Sequence, residues 1–342
     1  MTCMASKITV GVIGCGRMGQ LQIDNLVHRI PDVVVKRVAH LDPDKSYEWL
    51  SEWGINDVTT DYKEVLEDPE IQAVFIMSST ASHAQLSIEA AQAGKDIFCE
   101  KPIDYDIPRV REVLRAVEQA DVKYQIGFNR RFDHNFRRIR EIVQSGEIGE
   151  PQVIKITSRD AGYNIEFLRT SCGILFDMCI HDLDMARYLS GLEVQEVYAS
   201  GSVLVDPAIG EFGDVDTIVI NLKFTSGAMA VIDGSRQAVY GYDQRVEVFG
   251  SGGMAMTGND KPSLVEIYTK NAPTTDKIQH FFLERYNQAF MDEITEFLTC
   301  IRENKAPPVT GVDCLNAILI AVAAKKSLDE HRPVTLAEVD VE

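Results

Sequence analysis

Hydrophobic positions in the first third of the chain form short runs, and segments with a helical pattern separate these runs. The runs that predict strands are 8–13, 33–41, 71–77, 96–99 and 122–127. The segments that predict helices between them are 19–30, 61–66 and 84–93. Strands that are apolar along their whole length are typical of a parallel sheet covered on both faces. The alternation therefore predicts an α/β domain with a parallel, doubly wound sheet over residues 1–127.

Hydrophobic residues in the remaining chain alternate with other residues at period two. In the segment 218–224 every second residue is apolar, which predicts a strand with one buried face. The other strands predicted here are 153–156, 228–232, 245–249 and 264–268. Because tight turns such as 225–227 connect them, we expect a mainly antiparallel sheet. Helices cover one face of such a sheet, so residues 128–342 predict an α+β domain whose other sheet face is a candidate oligomer surface.

Length and charge exclude several classes of protein. A chain of 342 residues is long enough for two domains with buried cores. Its 34 Lys and Arg against 52 Asp and Glu give a net charge of −18, which repels nucleic-acid backbones and anionic membrane surfaces. No apolar run reaches the ~20 residues of a membrane span. We therefore expect no nucleic-acid partner and no membrane partner.

Cysteine usage and the N-terminal residues predict a cytoplasmic location. The seven cysteines are scattered and include no C-x-x-C pair. The first residues lack the basic segment and long apolar core of a signal peptide. In a chain of this length, such a pattern is typical of reduced thiols in the cytoplasm.

A glycine-rich turn follows the first predicted strand and opens the first predicted helix. Gly14 allows a tight turn, Gly16 lets a pyrophosphate approach the backbone, and Gly19 lets helix and strand pack closely. Asp42 ends the second predicted strand, where a carboxylate can accept both ribose hydroxyls. Since no basic residue directly follows Asp42, the pattern favours NAD over NADP. The alternative for the whole motif is a glycine turn that binds no ligand. The predicted cofactor loop comprises Gly14, Cys15, Gly16, Arg17, Met18 and Gly19.

A polar segment follows the run at 71–77, at the same edge of the predicted sheet. We expect this segment to contact the cofactor, although its histidine could equally cap the next helix. Its residues are Ser78, Ser79, Thr80 and His83.

Two further groups carry candidate catalytic chemistry. Glu100 and Lys101 follow the strand 96–99, at the strand end where α/β sheets bind ligands, and a lysine there can polarise a developing alkoxide. Asp177 and His181 lie four residues apart and share one face of a helix, as a general base and its orienting carboxylate would. The alternatives are a surface lysine and a surface ion pair. No metal is expected, because no third histidine or cysteine lies at ligand spacing.

These motifs together resemble the Gfo/Idh/MocA (glucose-fructose oxidoreductase / inositol dehydrogenase) family over nearly the whole chain. Residues 12–19 are similar to its glycine fingerprint, and Cys99-Glu100-Lys101-Pro102 matches its E-K-P motif. Residues 173–184 match its G-G-x-x-x-D-x-x-x-H-D-x-D segment, except that Cys172 replaces the usual first glycine. Residues 127–133 and 240–243 are most similar to those of bacterial inositol 2-dehydrogenases.

The resemblance implies both a fold and an activity. The implied fold is a Rossmann domain followed by an α+β domain, whose large open-faced, mainly antiparallel sheet assembles a homotetramer. The implied activity is NAD-dependent oxidation of a secondary hydroxyl of a neutral cyclic polyol, with myo- or scyllo-inositol first. A related sugar or deoxy-sugar dehydrogenase and a non-catalytic NAD-dependent sensor are the alternatives.

The resemblance also implies the roles of individual residues. His181 would remove the hydroxyl proton, Asp177 would orient His181, and Lys101 would stabilise the oxygen as charge develops. Glu100 and Lys101 would also border the cofactor. The implied polyol ligands are Lys101, Asn129, Arg130, Asp160, Asp177, His181 and Tyr242.

Overall fold

The computed structural model describes residues 7–42 and 44–341. The chain divides into two compact units. The first comprises the chain up to Asn129 together with Phe290–Leu315, and the second comprises Arg130–Ala289 together with the chain from Asn316 onward.

Within the described residues of the first unit, six parallel strands form one sheet. The strands are β1 (Ile8–Ile13), β2 (Val33–Ala39), β3 (Val58–Thr59), β4 (Ala73–Ile76), β5 (Asp96–Cys99) and β6 (Tyr124–Ile126). Their order is β3-β2-β1-β4-β5-β6, which confirms the doubly wound parallel class. The direction of strand addition reverses between β1 and β4, which is the switch point where such sheets bind ligands.

The helices of the first unit connect these strands. They are α1 (Arg17–Asp24), α2 (Asp44–Glu52), α3 (Lys63–Leu66), α4 (Thr80–Gln92) and α5 (Ile107–Ala120). The segment Asn25–Arg29 continues α1 as a π-helix. The predicted strands at 8–13 and 96–99 have the bounds of β1 and β5, whereas the predicted helix at 19–30 begins earlier, at Arg17.

In the described part of the second unit, seven strands form a mixed sheet and two more form a separate ribbon. The sheet strands are β7 (Pro151–Arg159), β8 (Val194–Ser202), β9 (Thr217–Phe224), β10 (Met229–Ser235), β11 (Asp243–Gly250), β12 (Met254–Thr257) and β15 (Val334–Thr335), and the ribbon strands are β13 (Glu266–Tyr268) and β14 (Pro273–Thr275). The sheet order is β12-β11-β7-β10-β9-β8-β15. All its neighbours are antiparallel except β7 and β10, so the mainly antiparallel sheet is confirmed.

The later helices belong partly to each unit. They are α6 (His134–Gln144), α7 (Ile165–Thr170), α8 (Ile180–Ser190), α9 (Pro207–Gly210), α10 (Phe282–Arg285), α11 (Asn287–Glu303) and α12 (Gly311–Glu330). Most of α11 lies in the first unit and completes its core. Phe297 of α11 packs edge-on against Phe75 of β4 and Phe98 of β5, with ring centroids 5.8 Å apart in both pairs. Apolar area removed from water in this way stabilises the parallel sheet.

Strand β9 shows why the large sheet has two different faces. Its residues Ile218, Ile220 and Leu222 are buried, whereas Val219 between them is 41% exposed. Period-two burial of this kind places one face on the core and leaves the other face open within the unit.

One expectation for the second unit was wrong. The segment 264–268 does not extend the large sheet: only Glu266–Tyr268 is a strand, and it pairs with β14 alone. All three residues of that strand are exposed, so no buried face anchors it to the sheet. No helix in the described chain is long and apolar enough to cross a membrane.

Candidate active site

The loop between β1 and α1 has the geometry that a dinucleotide requires. Gly14 has φ +104°, and a Cβ there would lie 2.6 Å from the backbone nitrogen of Ser78. A Cβ on Gly19 would lie 2.1 Å from the carbonyl oxygen of Gly14, so helix and strand approach closely. At Gly16 a Cβ would meet no described atom within 4 Å, which leaves room for an anion. The residues therefore fit a pyrophosphate held at the N-terminus of α1.

Two other features of this edge suit NAD. The first turn of α1, which is described in full, holds no acidic residue, and no side chain caps it, so its N–H groups stay available to an anion. Asp42 follows β2 closely and is half-buried. In folds of this kind a carboxylate after the second strand binds the adenosine ribose.

His83 connects two loops at this sheet edge. Its Nδ1 lies 2.8 Å from the carbonyl oxygen of Pro102, and its Nε2 lies 3.0 Å from that of Ser78. The side chain is 1% exposed, and burial lowers the pKa of its imidazole. His83 therefore holds the loop after β4 to the loop after β5, and both ring nitrogens are engaged with backbone. Ser78, Ser79 and Thr80 lie at the start of α4, with Ser78 and Thr80 half-buried and Ser79 exposed.

The E-K-P segment begins directly after β5. Lys101 is half-buried and Glu100 is buried. Burial raises the pKa of Glu100, although the charge of Lys101 and then that of His83 oppose the shift. Burial also raises the pKa of Glu293 of α11 well above its usual range, and Glu100 adds to that effect. Two acidic groups thus lie close together in the interior of the first unit.

In the second unit, the D-x-x-x-H segment forms an irregular helical junction. Leu175–Cys179 is a π-helix that leads directly into α8, so Asp177 lies in the π segment and His181 in the first turn of α8. Both side chains are half-buried. π-Helical turns within α-helices often occur at functional sites. Each unit thus holds part of the predicted catalytic set: Lys101 in the first, and Asp177 and His181 in the second.

Arg236 is the main site residue that the sequence did not reveal. It follows β10 directly and is buried. Its Nη1 donates to Oδ2 of Asp177 at 2.8 Å and lies 3.7 Å from Oδ2 of Asp160. The sequence offered one signal for this residue: Arg236 follows a strand and lies four residues before the Y-G-Y-D segment.

Arg130 is the centre of a second polar cluster in the same unit. Its guanidinium donates to the carboxylate of Asp182, to the hydroxyl of Tyr242 at 3.4 Å and to that of Ser158 at 3.5 Å. The guanidinium also lies 5.7 Å from the ring centroid of Tyr286. Burial raises the pKa of Tyr242 well above its usual range, so its hydroxyl keeps its proton.

Asp160 connects the two clusters electrostatically. Burial raises its pKa to about 6, Arg236 opposes this shift, and Asp177 adds to it; weaker effects come from Arg130 and Asp182. The second unit thus brings Arg130, Asp160, Asp177 and Tyr242 together. Asn129 is buried and is the last residue of the first unit before the chain enters the second.

The acidic residues that could suggest a metal are engaged by arginines. Asp184 accepts two hydrogen bonds from Arg131, at 2.6 and 2.8 Å. Asp133, His134 and Asp260 also lie within ligand distance of one another. Arg285 pairs with Asp133 and lies 3.2 Å from Asp260. The guanidinium of Arg285 therefore already offsets part of the negative charge of that group.

Family models match both parts of the chain. Residues 8–128 match a model described as an oxidoreductase family with an NAD-binding Rossmann fold, and residues 136–256 match the Gfo/Idh/MocA C-terminal domain. The chain belongs to the Gfo/Idh/MocA family. The family resemblance, the oxidoreductase class and NAD as the cofactor are therefore confirmed.

Individual relatives of this Gfo/Idh/MocA protein match it along its whole length. It is 48% identical to the uncharacterized oxidoreductase YrbE of Bacillus subtilis, over 98% of this chain and 99% of that one. It is 44% identical to the myo-inositol 2-dehydrogenase of Thermotoga maritima, over 96% and 99% of the two chains. A crystal structure of scyllo-inositol dehydrogenase from Lactobacillus casei with bound NAD(H) and scyllo-inositol is similar with a TM-score of 0.92, at 28% identity over 97% of this chain and 100% of that chain.

Proposed function

We propose that this protein oxidises a ring secondary hydroxyl of a neutral cyclic polyol to the ketone, with NAD⁺, and that the polyol is myo- or scyllo-inositol. The observation that carries the proposal is the charge balance of the second-unit site. Arg130 is paired with Asp182, Arg236 with Asp177, and Asp160 remains as a further carboxylate. In the described second unit both arginines of this site are already paired with carboxylates, whereas its carboxylates and hydroxyls suit neutral hydroxyl groups.

The relatives support the same substrate class. Proteins named as myo-inositol and scyllo-inositol dehydrogenases match nearly the full chain. We therefore favour an inositol over another sugar and name the product as the keto-inositol (inosose).

The chemistry is divided between the cofactor and the chain. NAD⁺, when bound, accepts the hydride from the ring carbon. His181 accepts the proton of the same hydroxyl group, Asp177 orients His181, and Lys101 stabilises the oxygen as charge develops. The ring carbon thereby becomes a ketone, with the hydride on the cofactor and the proton on the histidine.

The remaining site residues have binding roles in this proposal. The loop of Gly14, Cys15, Gly16, Arg17, Met18 and Gly19 would hold the pyrophosphate of the cofactor, and Asp42 would accept hydrogen bonds from the ribose hydroxyls. Ser78, Ser79, Thr80, Glu100 and Lys101 border the cofactor, and His83 acts through the two loops that it connects. The polyol ligands are Lys101, Asn129, Arg130, Asp160, Asp177, His181 and Tyr242.

We also propose how the chain divides its tasks and assembles. Residues 1–127 bind NAD, and residues 128–342 bind the polyol and form a homotetramer through the open sheet face. The exposed apolar side chains Val219, Met229 and Phe249 lie on strands of that sheet, and burial of such a patch between copies would be favourable. The scattered cysteines are consistent with a cytoplasmic assembly.

The test is a kinetic comparison with NAD⁺ of myo-inositol, scyllo-inositol, glucose and their phosphates. We expect one of the two inositols to give the highest kcat/KM. If a phosphate ester exceeds every neutral polyol, the substrate class is wrong. If NADH binds, as seen by its fluorescence, but no polyol or sugar is oxidised, the protein is a sensor instead.

A further inference from the structure

Arg236 is buried beside two carboxylates that the proposed function uses. Its side chain is 3% exposed, and its Nη1 is the atom nearest to both Asp177 and Asp160, at 2.8 and 3.7 Å. Its Nε and Nη2 form no hydrogen bond with any described residue. The guanidinium therefore makes its ionic contacts through one nitrogen, which faces both acids.

Two ionised carboxylates in a largely buried place repel each other unless a cation lies beside them. Asp177 raises the pKa of Asp160, and Arg236 lowers it, as expected for a shared cation. Arg130 is less able to serve this purpose, because its guanidinium is committed to Asp182. Arg236 is thus a cation that lies beside both Asp160 and Asp177 and offsets their repulsion.

We propose that Arg236 is a positioning residue, which fixes the carboxylate of Asp177 through one short contact and places a positive charge beside both Asp160 and Asp177. The inference rests on the proposed function for the roles of those two acids. Without the guanidinium, Asp177 would lose the contact that fixes one of its oxygens. Asp160 would then take up a proton more readily, and a protonated carboxyl is a poorer hydrogen-bond acceptor for a substrate hydroxyl.

The charged groups around this site limit what else can control it. Arg236 faces Asp160, Asp177 and the thiol of Cys179, whose pKa burial raises well above its usual range. Asp160 also faces Arg130 and Asp182. Cys179 stays neutral and Arg130 is paired, so the acid limb of activity reflects Asp160 together with the proposed proton acceptor His181, which must also be unprotonated to act.

The test compares Arg236→Met and Arg236→Lys with the wild type, as the full-length protein. The matched control is Arg131→Lys, because Arg131 is likewise a buried arginine paired with an aspartate, Asp184, and has no role in the proposed chemistry. Three quantities are measured: NADH binding, kcat/KM against pH for inositol oxidation, and the Tm of each variant between pH 5 and pH 8.

In Arg236→Met we expect kcat to fall on the order of tenfold or more. The acid limb of kcat/KM should move up by about one pH unit, because the loss of a nearby positive charge raises the pKa of Asp160 and of the other groups that must be unprotonated for activity. NADH binding should not change. Arg236→Lys should keep the acid limb in place, because it keeps the charge, while its kcat falls because the planar contact is lost.

The Tm difference between the wild type and Arg236→Met should grow from pH 5 to pH 8, since the lost cation matters most when the carboxylates are ionised. Arg131→Lys should lower Tm equally at every pH and leave the acid limb unchanged.

A Tm difference for Arg236→Met that is constant with pH, together with an unmoved acid limb, would overturn the inference and leave only a packing role. If Arg236→Met does not fold, an unchanged kcat in Arg236→Lys would overturn it equally. Failure of the wild type to oxidise any polyol would refute the proposed function, and the Tm series would still decide the role of Arg236.

Discussion

Arg130 and Asp182 form an ion pair in which both side chains are buried, with 4% and 0% of their surfaces exposed. Arg130 lies in the 3-10 segment Asn129–Phe132, and Asp182 lies in α8, so the pair fastens the start of the second unit to the helix that carries His181. Arg130 is therefore a structural residue as well as a proposed polyol ligand.

Removal of one partner of this pair should be costly. Arg130→Met leaves the carboxylate of Asp182 buried without its cation, and breaking a buried pair in this way destabilises proteins by about 3–5 kcal/mol. The free energy of unfolding in urea would measure the loss. The double variant Arg130→Met/Asp182→Asn is the control and should lose much less than the sum of the two single variants. Simple additivity would show that the two charges do not interact.

The proposed catalytic set gives a second prediction. Lys101→Met and His181→Ala should each lower kcat by on the order of 10²-fold or more, because each removes a group that acts on the reacting oxygen. NADH binding, followed by fluorescence, should change little in either variant. If His181→Ala retains a near-normal kcat, the proton acceptor is Lys101 instead.

Much of the first unit could be predicted from its sequence, because its signals are local. Thr9 is the one polar residue in the strand of Ile8–Ile13. The glycines after this strand are needed for steric reasons, which their spacing in the sequence already indicates. The conformation at Gly14 and the close contact at Gly19 follow from the absence of a side chain alone.

The site of the second unit depends on contacts that sequence spacing does not encode. Arg236 lies 59 residues from Asp177, and Arg130 lies 52 residues from Asp182. The spacing identifies the acidic residues within their motif, but it does not show which arginine pairs with each of them. The burial of His83 was likewise hidden, because a histidine at a helix start looks the same whether its ring faces a cofactor or two backbone carbonyls.

Cofactor choice provides the third prediction. Asp42 should repel the 2′-phosphate of NADP and accept the ribose hydroxyls of NAD. Asp42→Ser combined with Pro43→Arg should therefore shift the ratio of kcat/KM values toward NADP. Asp42→Asn serves as a control, because it keeps the size of the side chain and removes only its charge. A wild-type enzyme that already uses NADP as well as NAD would show that Asp42 does not select the cofactor.

Glu100 and Glu293 form a buried acidic pair in the first unit, and the fourth prediction concerns its proton. Gln22 donates to Oε1 of Glu293 at 2.9 Å, and Gln125 donates to the backbone oxygen of Glu293 at 2.8 Å. No basic side chain hydrogen-bonds to Glu293 among the described residues. Burial and the repulsion between the two carboxyls both favour retention of a proton on Glu293.

The sign of the resulting pH dependence follows from the raised pKa of Glu293. A carboxyl whose pKa is higher in the folded state binds its proton more tightly there than in the unfolded chain. Its contribution to stability is complete below the pKa of the unfolded state, and it is lost as the pH rises through the folded-state pKa. The wild type should therefore lose stability as the pH rises above the ordinary carboxyl range.

Glu293→Gln should reduce this loss to the part that comes from Glu100, because an amide resembles the neutral acid, accepts the same hydrogen bond from Gln22 and cannot ionise. Its free energy of unfolding in urea should exceed that of the wild type by an amount that grows with pH, at most about 1.4 kcal/mol for each pH unit. Glu303→Gln, at an exposed position of the same helix, is the control and should follow the wild type. If the wild type and Glu293→Gln keep a constant difference from pH 5 to pH 8.5, Glu293 is ionised throughout, and the pair holds no proton.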